Sequence, residues 1–341
     1  MGPSGAPVFP SSPDNGLNIL AAMTTTLPEE VQQVFARFIT TEYTTIDSSG
    51  QPITWPVTPY YRPGEGAIDV TTGLGYPKKA DDAAQNPQVS LLFSDPTGSG
   101  IDHPCAVLVQ GTARVDDRDL VENRERYSRE SLEKLPATKS MYPPKPIRSL
   151  FDWYFMRIYV YVRPERVYVW DACDFTADPK LFGAHMEEVR SHHSEEPEVE
   201  RPAPEGGPIK WDERLEELGR RHPTAVLSIV GPDGFPLSTR LTVEPDRGAG
   251  RIRLGELPDW LAVAPGKACL TAHAHGPDFR WQTNFQVRGD LIRDDSAWTL
   301  VPHRLIGGFE LPKGRLEAYR ANFKKMLRYR KTAKRELAKR G

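Results

Sequence analysis

The sequence has few cysteines and no long apolar run. Its three cysteines among 341 residues, Cys105, Cys173 and Cys269, are odd in number and lack CxxC spacing, which excludes a disulfide framework and a cysteine-rich zinc site. No window approaches the roughly 18 to 20 apolar residues of a membrane-spanning helix. The N-terminus lacks the basic-then-apolar pattern of a secretory signal. The cytoplasm is therefore the default location, with no membrane partner expected.

The net charge of −2 conceals a strongly basic C-terminal segment. From Lys313 to the end there are 12 Lys and Arg residues against 2 Glu. Apolar residues recur there at helical spacing, from Leu316 to Leu327, which favours a helix docked on the body with its charges in water. Binding to nucleic acid or an acidic partner is the less favoured alternative.

The chain contains an internal repeat. Residues 44–58 and 228–242 both carry an apolar strand, a Gly-X-Pro turn and a second strand, 184 residues apart. Three further pairs of segments follow in the same order, at offsets of 184 and then 178: 66–70 with 250–254, 86–92 with 264–270, and 106–117 with 284–295. The change of offset places a deletion in the second copy, at the segment that carries Lys78 and Lys79 in the first. We therefore predict two homologous β-rich domains.

The strands within each copy are short, alternating and bounded by turn residues, as in a small antiparallel barrel. The fold class predicted is mainly β with flanking helices (α+β). Residues 154–171 are expected to form two strands joined at Arg163 and Pro164. The domain boundaries predicted are a flexible tail (1–22), a first, cofactor-binding barrel (23–190), a linker (191–208), a second, degenerate barrel (209–310) and a basic C-terminal helix (311–341).

Several motifs of the first copy occur in a recognisable order. "TWPVTPYY" (54–61) is followed by "GAIDVTTG" (66–73), by Lys79 seven residues ahead of Asn86-Pro87, and by a closing strand that ends in Trp170. Over residues 27–171 this order resembles the FMN-binding split-barrel family that includes pyridoxamine 5'-phosphate oxidase and related flavin and deazaflavin oxidoreductases. The internal repeat extends the resemblance to two tandem split β-barrels.

The resemblance implies a set of cofactor-binding residues. FMN requires a cationic, donor-rich cradle for its phosphate and a flat apolar slot for its ring. The phosphate residues implied are Thr71, Thr72, Lys78 and Lys79, and the early amides of the helix that follows would add donors. The residues implied beside the ring are Val57, Thr58 and Tyr60. Trp170, at the end of the closing strand, is a further candidate for a ring neighbour. If the second barrel forms a wall of the site, the candidates for that wall are Arg280, Trp281 and Arg288.

Two family features are missing. An arginine that many members carry on the strand "TWPVTP" is absent, which leaves the phosphate cradle with less charge and makes Lys79 the central assignment. The Arg-X-His pattern near the end is also absent, so oxidation of vitamin B6 itself is not expected. No residue is marked as a catalytic acid or base, although His103 and Tyr60 are candidates.

The function predicted is that of an FMN-dependent oxidoreductase, which transfers hydride to or from a small organic substrate with a nicotinamide or another electron donor. The first alternative uses the deazaflavin coenzyme F-420, whose acidic tail Arg240, Arg280 and Arg288 would bind. An alternative of a different class is a non-catalytic flavin- or haem-binding protein. The chain is expected to be a monomer with an internal pseudo-dimer, or a homodimer, with one site per chain.

His273 and His275 stand two residues apart in "TAHAHG" and could both face a metal or a haem. No third ligand accompanies them, and such a pair on a half-exposed strand is more often ordinary surface. We therefore predict no metal site, and name this pair and His303 as the residues that a haem would use.

Overall fold

The computed structural model describes residues 27–141, 152–183, 209, 211–294, 297–308 and 315–340. The predicted N-terminal tail (1–22) and linker (191–208) lie outside these residues.

The described residues between 27 and 183 form an eight-stranded antiparallel sheet, the first sheet, with helices packed around it. Its strands are β1 (Thr41–Ile46), β2 (Pro52–Val57), β3 (Tyr60–Arg62), β4 (Ala67–Gly73), β5 (Gln88–Phe93), β6 (Ala106–Asp116), β7 (Arg157–Trp170) and β8 (Lys180–Gly183). Its helices are α1 (Glu29–Arg37), α2 (Lys78–Gln85), α3 (Leu120–Lys134) and α4 (Asp152–Phe155).

Local sequence explains where these elements begin and which face they bury. Asp119 caps α3 by accepting hydrogen bonds from the amides of the second and third residues after it. Helix α1 buries Val31, Val34 and Phe35, which are three or four residues apart and therefore share one face. The chain thus closes one side of the first sheet with an apolar helix face.

Residues 211–308 form a closed six-stranded barrel, the second barrel. It is preceded by helix α5 (Glu213–Glu217) and consists of β9 (Thr224–Val230), β10 (Pro236–Asp246), β11 (Arg251–Leu254), β12 (Gly266–His275), β13 (Gln282–Asp294) and β14 (Ala297–Gly307). Going round the barrel from β10, the order is β10, β9, β12, β13, β14 and β11, which pairs with β10 again.

The strand order of the first sheet is the same, with one break. The order β2, β1, β5, β6, β7, β4, β3 places β2 and β3 where the second barrel has the single strand β10. Thr58 and Pro59 separate β2 from β3, and Pro59 has no N–H to donate to a neighbouring strand. The first sheet is therefore a half-barrel where the second unit is closed.

The strands also follow the spacing of the sequence repeat. Strands β2 and β10 begin at Pro52 and Pro236, 184 residues apart, and β5 and β12 begin at Gln88 and Gly266, 178 apart. The fold is thus mainly β and consistent with a two-barrel arrangement, while the common origin of the two units stays a prediction.

Residues 157–170 form one strand, so the expectation of two strands joined at Arg163 and Pro164 was wrong. Strand β7 continues through its proline because a β-bulge opposite Gly111 absorbs it. The second barrel has an equivalent β-bulge, at which Gly289 is opposite Pro302. A Cβ at Gly111 would lie 2.1 Å from the carbonyl oxygen of Arg163, and one at Gly289 would lie 2.2 Å from that of Val301. Glycine is required at both bulges.

Gly111→Ala and Gly289→Ala are each expected to lower the free energy of unfolding by about 1–3 kcal/mol, because the added methyl group must displace backbone. Gly266→Ala is the control, since no atom lies within 4 Å of the added Cβ. Urea unfolding of the three variants measures the difference. Equal stability of all three variants would contradict the requirement for glycine at the two bulges.

The two units meet along a surface, here called the seam, which β1, β2, β5 and β6 form with β9, β10, β12 and β13. Four buried hydroxyls from the two units are bonded to one another at its centre. The four residues are Thr44, Thr54, Ser228 and Ser238, with Thr54 donating to Ser228 at 2.7 Å and Thr44 lying 3.2 Å from Ser238. Since Thr44 and Thr54 are each 184 residues before one of the serines, equivalent positions of the two copies face each other.

Helix α6 (Arg315–Arg340) packs against α2 and the first sheet. Ala333 is buried in the core of the first unit, Tyr329 lies 5.3 Å from the ring of Tyr76, and Arg340 pairs with Asp81 and Asp117. Leu327, expected to dock, is 52% exposed. Leu327 faces away from the body because the buried residues Ala333 and Glu336 lie on another side of the helix.

Within the described residues, no helix combines the length and apolar character needed to cross a membrane.

Candidate functional site

The two lysines singled out by the sequence begin helix α2, and their surroundings differ. The ammonium of Lys78 lies 2.9 Å from a carboxylate oxygen of Asp82 and 3.6 Å from one of Asp47. Its side chain is 51% exposed. Lys78 is therefore already paired with protein carboxylates.

Lys79 has no such partner. Its half-buried side chain places Nζ 5.1 Å from the centre of the Tyr76 ring, and it makes no hydrogen bond or ion pair within the described part of the chain. Burial lowers the pKa of Lys79 to about 8, and the positive charge of Arg157 acts in the same direction. The ammonium thus lies in a site that disfavours its charge.

Arg157 is the second cation of this site. Its side chain at the start of β7 is buried, with only 5% of the residue exposed. Its guanidinium lies 4.2 Å from the ring of Tyr127 and 4.5 Å from that of Tyr154. It donates to the hydroxyls of Tyr76 at 3.0 Å and Tyr127 at 2.9 Å, while Nε is buried with no acceptor among the described residues. Within the described chain no carboxylate pairs with Arg157.

A buried pair of cations without a carboxylate is costly, because each charge has lost most of its hydration. A bound anion would offset this cost and would supply the acceptor that Arg157 Nε lacks. Phosphate suits the site, since guanidinium and ammonium groups form strong charge-assisted hydrogen bonds with phosphate oxygens. We call Lys79, Arg157 and the tyrosines Tyr76 and Tyr127 the cation cluster.

The two predicted threonines lie on opposite faces of β4. Thr72 is buried and donates its hydroxyl to the carbonyl of Tyr76 at 2.9 Å. Thr71 lies on the same face as Arg157, because Gly73, two residues on, is directly opposite Arg157. A Cβ at Gly73 would lie 3.1 Å from the Tyr76 ring and 3.2 Å from Arg157 Nη1. Of the two threonines, Thr71 is the one placed to contact an anion.

Three of the residues predicted beside the cofactor ring belong to β2, β3 and the break between these strands. Val57 ends β2 and is half-buried, Thr58 lies in the break between β2 and β3, and Tyr60 begins β3. Tyr60 is 8% exposed and is among the neighbours that raise the pKa of Tyr127, after burial itself. The broken edge of the half-barrel thus lies close to the cation cluster.

Trp170 does not lie in this site. It is 1% exposed and packs 4.8 Å from the ring of Trp260 and 5.2 Å from that of Phe175. Its indole N–H donates to the carbonyl of Ala177 at 3.0 Å. The predicted contact of Trp170 with a cofactor ring is not supported by this position, because its ring belongs to the core shared by the two units.

The three residues expected from the second barrel are dispersed. Arg280 is exposed and pairs with Asp278 at 3.1 Å, and Trp281 is half-buried beside the turn that begins at Gly276. Arg288 is on the seam, where Asp47 and Asp82, the carboxylates paired with Lys78, are near enough to affect its pKa. Of the three, Arg288 is the one that faces α2.

Sequence reasoning missed Arg157, Tyr76 and Tyr127. Large apolar side chains alternate in the stretch around Arg157, a pattern that is typical of barrel core. An arginine within that alternation was the available signal, since an unpaired arginine is rarely buried. Arg157 is therefore a second cation beside Lys79 that the sequence motifs did not indicate.

A second cluster of charged groups is buried in the seam. Glu42 is fully buried, and one of its oxygens lies 2.8 Å from Nη2 of Arg240 and 2.6 Å from Nε2 of His273. Its other oxygen accepts from Ser94 at 2.9 Å. Burial raises the pKa of Glu42, but the hydrogen bond with His273 and the charge of Arg240 outweigh it, so the pKa lies below its ordinary value. Arg240 is therefore paired with Glu42 inside the seam, and its guanidinium is not available to bind the acidic tail of a cofactor.

His273 and His275 are both 5% exposed, so their interpretation as half-exposed surface was wrong. Contact with the first unit buries the face of β12 that carries both histidines. The alternation of residues within one strand does not reveal such a contact. His275 lies 3.1 Å from the hydroxyl of Thr40 and 3.0 Å from the carbonyl of Gly276. Both histidines are held by protein groups, and no metal-binding group of three or more His, Cys, Asp or Glu side chains occurs in the described residues. His303, the other haem candidate, has Nε2 3.0 Å from a carboxylate oxygen of Asp290.

No family model matches the sequence, and no curated protein matches it. Several solved structures are similar to parts of the chain. A NimC/NimA family protein from Clostridium acetobutylicum is 15% identical over 50% of this chain and 97% of its own, with a TM-score of 0.33. An F420 reductase is 19% identical over 41% of this chain and 98% of its own, with a TM-score of 0.32. A heme binding protein from Mycobacterium smegmatis is 13% identical over 70% of this chain and 90% of its own, also with a TM-score of 0.32. At these identities and TM-scores the function must be argued from the site.

Proposed function

We propose that the protein is an FMN-dependent oxidoreductase of the split-barrel type that acts on a small organic substrate. The observation that carries the proposal is the cation cluster, in which half-buried Lys79 and buried Arg157 have no carboxylate partner in the described chain. This arrangement fits the phosphate of a flavin mononucleotide, because the unfilled Nε of Arg157 and the ammonium of Lys79 are donors that lack an acceptor.

The residues around the cluster define how the cofactor would be held. Lys79 and Arg157 would bind the phosphate, with the hydroxyl of Thr71 as a further donor. Val57 and Thr58, at the broken edge of the half-barrel, would position the ring. When bound, FMN supplies hydride transfer, so the protein's own contribution is orientation and exclusion of water.

One site per chain is expected because the second unit lacks the cations. Residues 255–265, which join β11 to β12, contain no Lys or Arg. The matching segment of the first unit contains Lys78 and Lys79. The second barrel would then act as the wall of a single site within an internal pseudo-dimer, whether the chain is a monomer or forms a homodimer.

The deazaflavin coenzyme is the second candidate, and the position of Arg288 on the seam favours it because an acidic tail requires cations beyond the phosphate site. A non-catalytic flavin-binding protein would use the same cluster. A haem-binding role has less support, since His273 and His275 are already bonded to Glu42, Thr40 and a backbone carbonyl.

The test is reconstitution of the purified protein with FMN, with the deazaflavin coenzyme and with haem, followed by absorbance spectra after desalting. We expect the bands of an oxidised flavin to remain with the protein, and to be bleached by a nicotinamide donor in the absence of oxygen. Retention of haem alone, or of none of the three, would contradict the proposal. Retention of flavin without reduction by any donor would favour the carrier function.

The affinity for FMN is expected to fall as the pH rises from about 7 to about 9.5, because the pKa of Lys79 is lowered to about 8 and its ammonium loses its proton in this range. The stability of the free protein should change in the opposite direction, since loss of a buried charge favours the folded state between about pH 8 and the ordinary lysine pKa of 10.5. Titration calorimetry at several pH values measures the first effect. In Lys79→Arg the affinity should be independent of pH, because a guanidinium stays charged. The same slope in this variant would contradict the assignment.

A further inference from the structure

The two ends of the seam can be compared residue by residue, because equivalent strands carry the same bulge. In the first sheet, Gln110 is directly opposite Arg166 at the bulge. Arg166 pairs with Asp233 of the second barrel, and Gln110 donates to the carbonyl of Pro236 at 3.0 Å and accepts from Arg166 at 3.1 Å. At this end a single arginine is neutralised by a carboxylate across the seam.

The other end has two cations and no such carboxylate. The residue 178 positions after Gln110 is Arg288, and it is directly opposite Arg304 at the equivalent bulge. The residue 184 positions before Asp233 is Ser49, whose hydroxyl donates to Asp47 at 2.7 Å. A serine thus stands at the position equivalent to that of the carboxylate which neutralises Arg166.

Like charges directly opposite on neighbouring antiparallel strands are destabilising. Neither Arg288 nor Arg304 forms an ion pair within the described residues, and Nε of Arg288 donates to Gln286 at 2.6 Å. Burial lowers the pKa of Arg288, and the charge of Arg304 adds to that effect. Of the nearby carboxylates, Asp47 and Asp82 are both paired with Lys78, and Asp290 is directly opposite Lys267.

Arg288 is linked to α2 through the partners of Lys78. Lys78 is paired with Asp47 and Asp82, and both carboxylates are near enough to Arg288 to affect its pKa. Lys79, the next residue of α2, is near enough to Arg157 for the charge of that guanidinium to lower its pKa.

We propose that Arg288 and Arg304 form a second anion-binding subsite, which takes a phosphate or carboxylate group in addition to the one held by Lys79 and Arg157. The group belongs either to the acidic tail of the cofactor or to the phosphates of a nicotinamide electron donor. The subsite itself is inferred from the geometry of the seam alone, whereas the identity of its ligand rests on the proposed function.

The first test uses inorganic pyrophosphate as the probe, with the full chain, in calorimetric titrations at low salt. Wild-type protein should bind two pyrophosphates. In Arg304→Gln the second site should lose at least tenfold in affinity, so that only the first pyrophosphate binds tightly. Arg304 is exposed, so this variant should fold; Arg288→Gln should give the same result. Arg293→Gln is the control, since it removes an exposed charge from the same strand and should change nothing. A single site that is unaffected by Arg304→Gln would overturn the proposal.

The second test identifies the source of the anionic group. If the subsite binds the cofactor tail, Arg304→Gln should weaken the deazaflavin coenzyme and leave FMN unchanged. If it binds the donor, the variant should raise the KM for the nicotinamide nucleotide with no change in flavin affinity. Equal affinities and KM values in both proteins would overturn the proposal. Lys79→Met separates the two hypotheses, because it should weaken flavin binding while pyrophosphate binding at Arg288 and Arg304 remains unchanged.

Discussion

Lys79→Met is expected to weaken FMN binding by roughly 10- to 100-fold and to leave the free protein equally stable or more stable. A hydrogen bond to a charged group contributes about 1.5–3 kcal/mol, and each 1.4 kcal/mol is about tenfold in affinity. Stability should not fall, because the ammonium is half-buried beside Arg157 and its charge is disfavoured there. Titration calorimetry and thermal unfolding of the same samples measure both effects.

This combination separates a binding residue from a structural one. A lysine that mainly supported the fold would lose stability and affinity together when replaced. Arg157→Met should weaken FMN binding in the same way, while Lys331→Met, which removes an exposed charge from α6, should have no effect. A clear loss of stability in Lys79→Met with unchanged FMN affinity would contradict the role proposed for the cation cluster.

Glu42→Ala is expected to cost about 3–5 kcal/mol of the free energy of unfolding, the largest stability effect expected of any single substitution considered. Removing one partner of a buried ion pair leaves the other charge without compensation. Here Arg240 and His273 would both lose their acceptor inside the seam. Urea unfolding measures the loss, and it should come with easier separation of the two units, detected as faster limited proteolysis.

The control for this prediction is Glu65→Ala. Glu65 is paired with Arg62, but its side chain is 58% exposed, and exposed pairs contribute between about 0 and 1 kcal/mol. A similar small change in both variants would show that the buried cluster does not hold the seam together.

The same cluster predicts sensitivity to acid. Because the folded-state pKa of Glu42 lies below its ordinary value of 4.5, its stabilising contribution is fully present above that value and is lost as the pH falls through the folded-state pKa. Glu42→Gln should therefore flatten the loss of stability at acid pH. An unchanged acid profile would assign the acid sensitivity to other carboxylates.

Much of the strand arrangement could be predicted because the same pattern of strands and turns occurs twice in the sequence. The spacing of 184 between Pro52 and Pro236, and of 178 between Gly111 and Gly289, marks equivalent turns and bulges in the two units. The continuity of β7 could not be predicted from its proline, because the bulge that accommodates Pro164 depends on a glycine in the neighbouring strand.

The site was only partly predictable for a similar reason. Lys79 stands in a local motif, so its position relative to Asn86 and Pro87 was sufficient to make it a candidate. Arg157 comes far along the chain, and only the pairing of β4 with β7 brings it beside Gly73. The burial of His273 depends on the contact between the two units, which the alternation within one strand does not show.

The most direct test of the central claim compares FMN with riboflavin, which has the same ring but no phosphate. Equilibrium dialysis of wild type and Lys79→Met against each compound gives four dissociation constants. We predict that wild type binds FMN at least tenfold more tightly than riboflavin, and that most of this difference disappears in Lys79→Met. Equal affinities of the wild type for the two compounds would contradict the claim that Lys79 and Arg157 form a phosphate cradle.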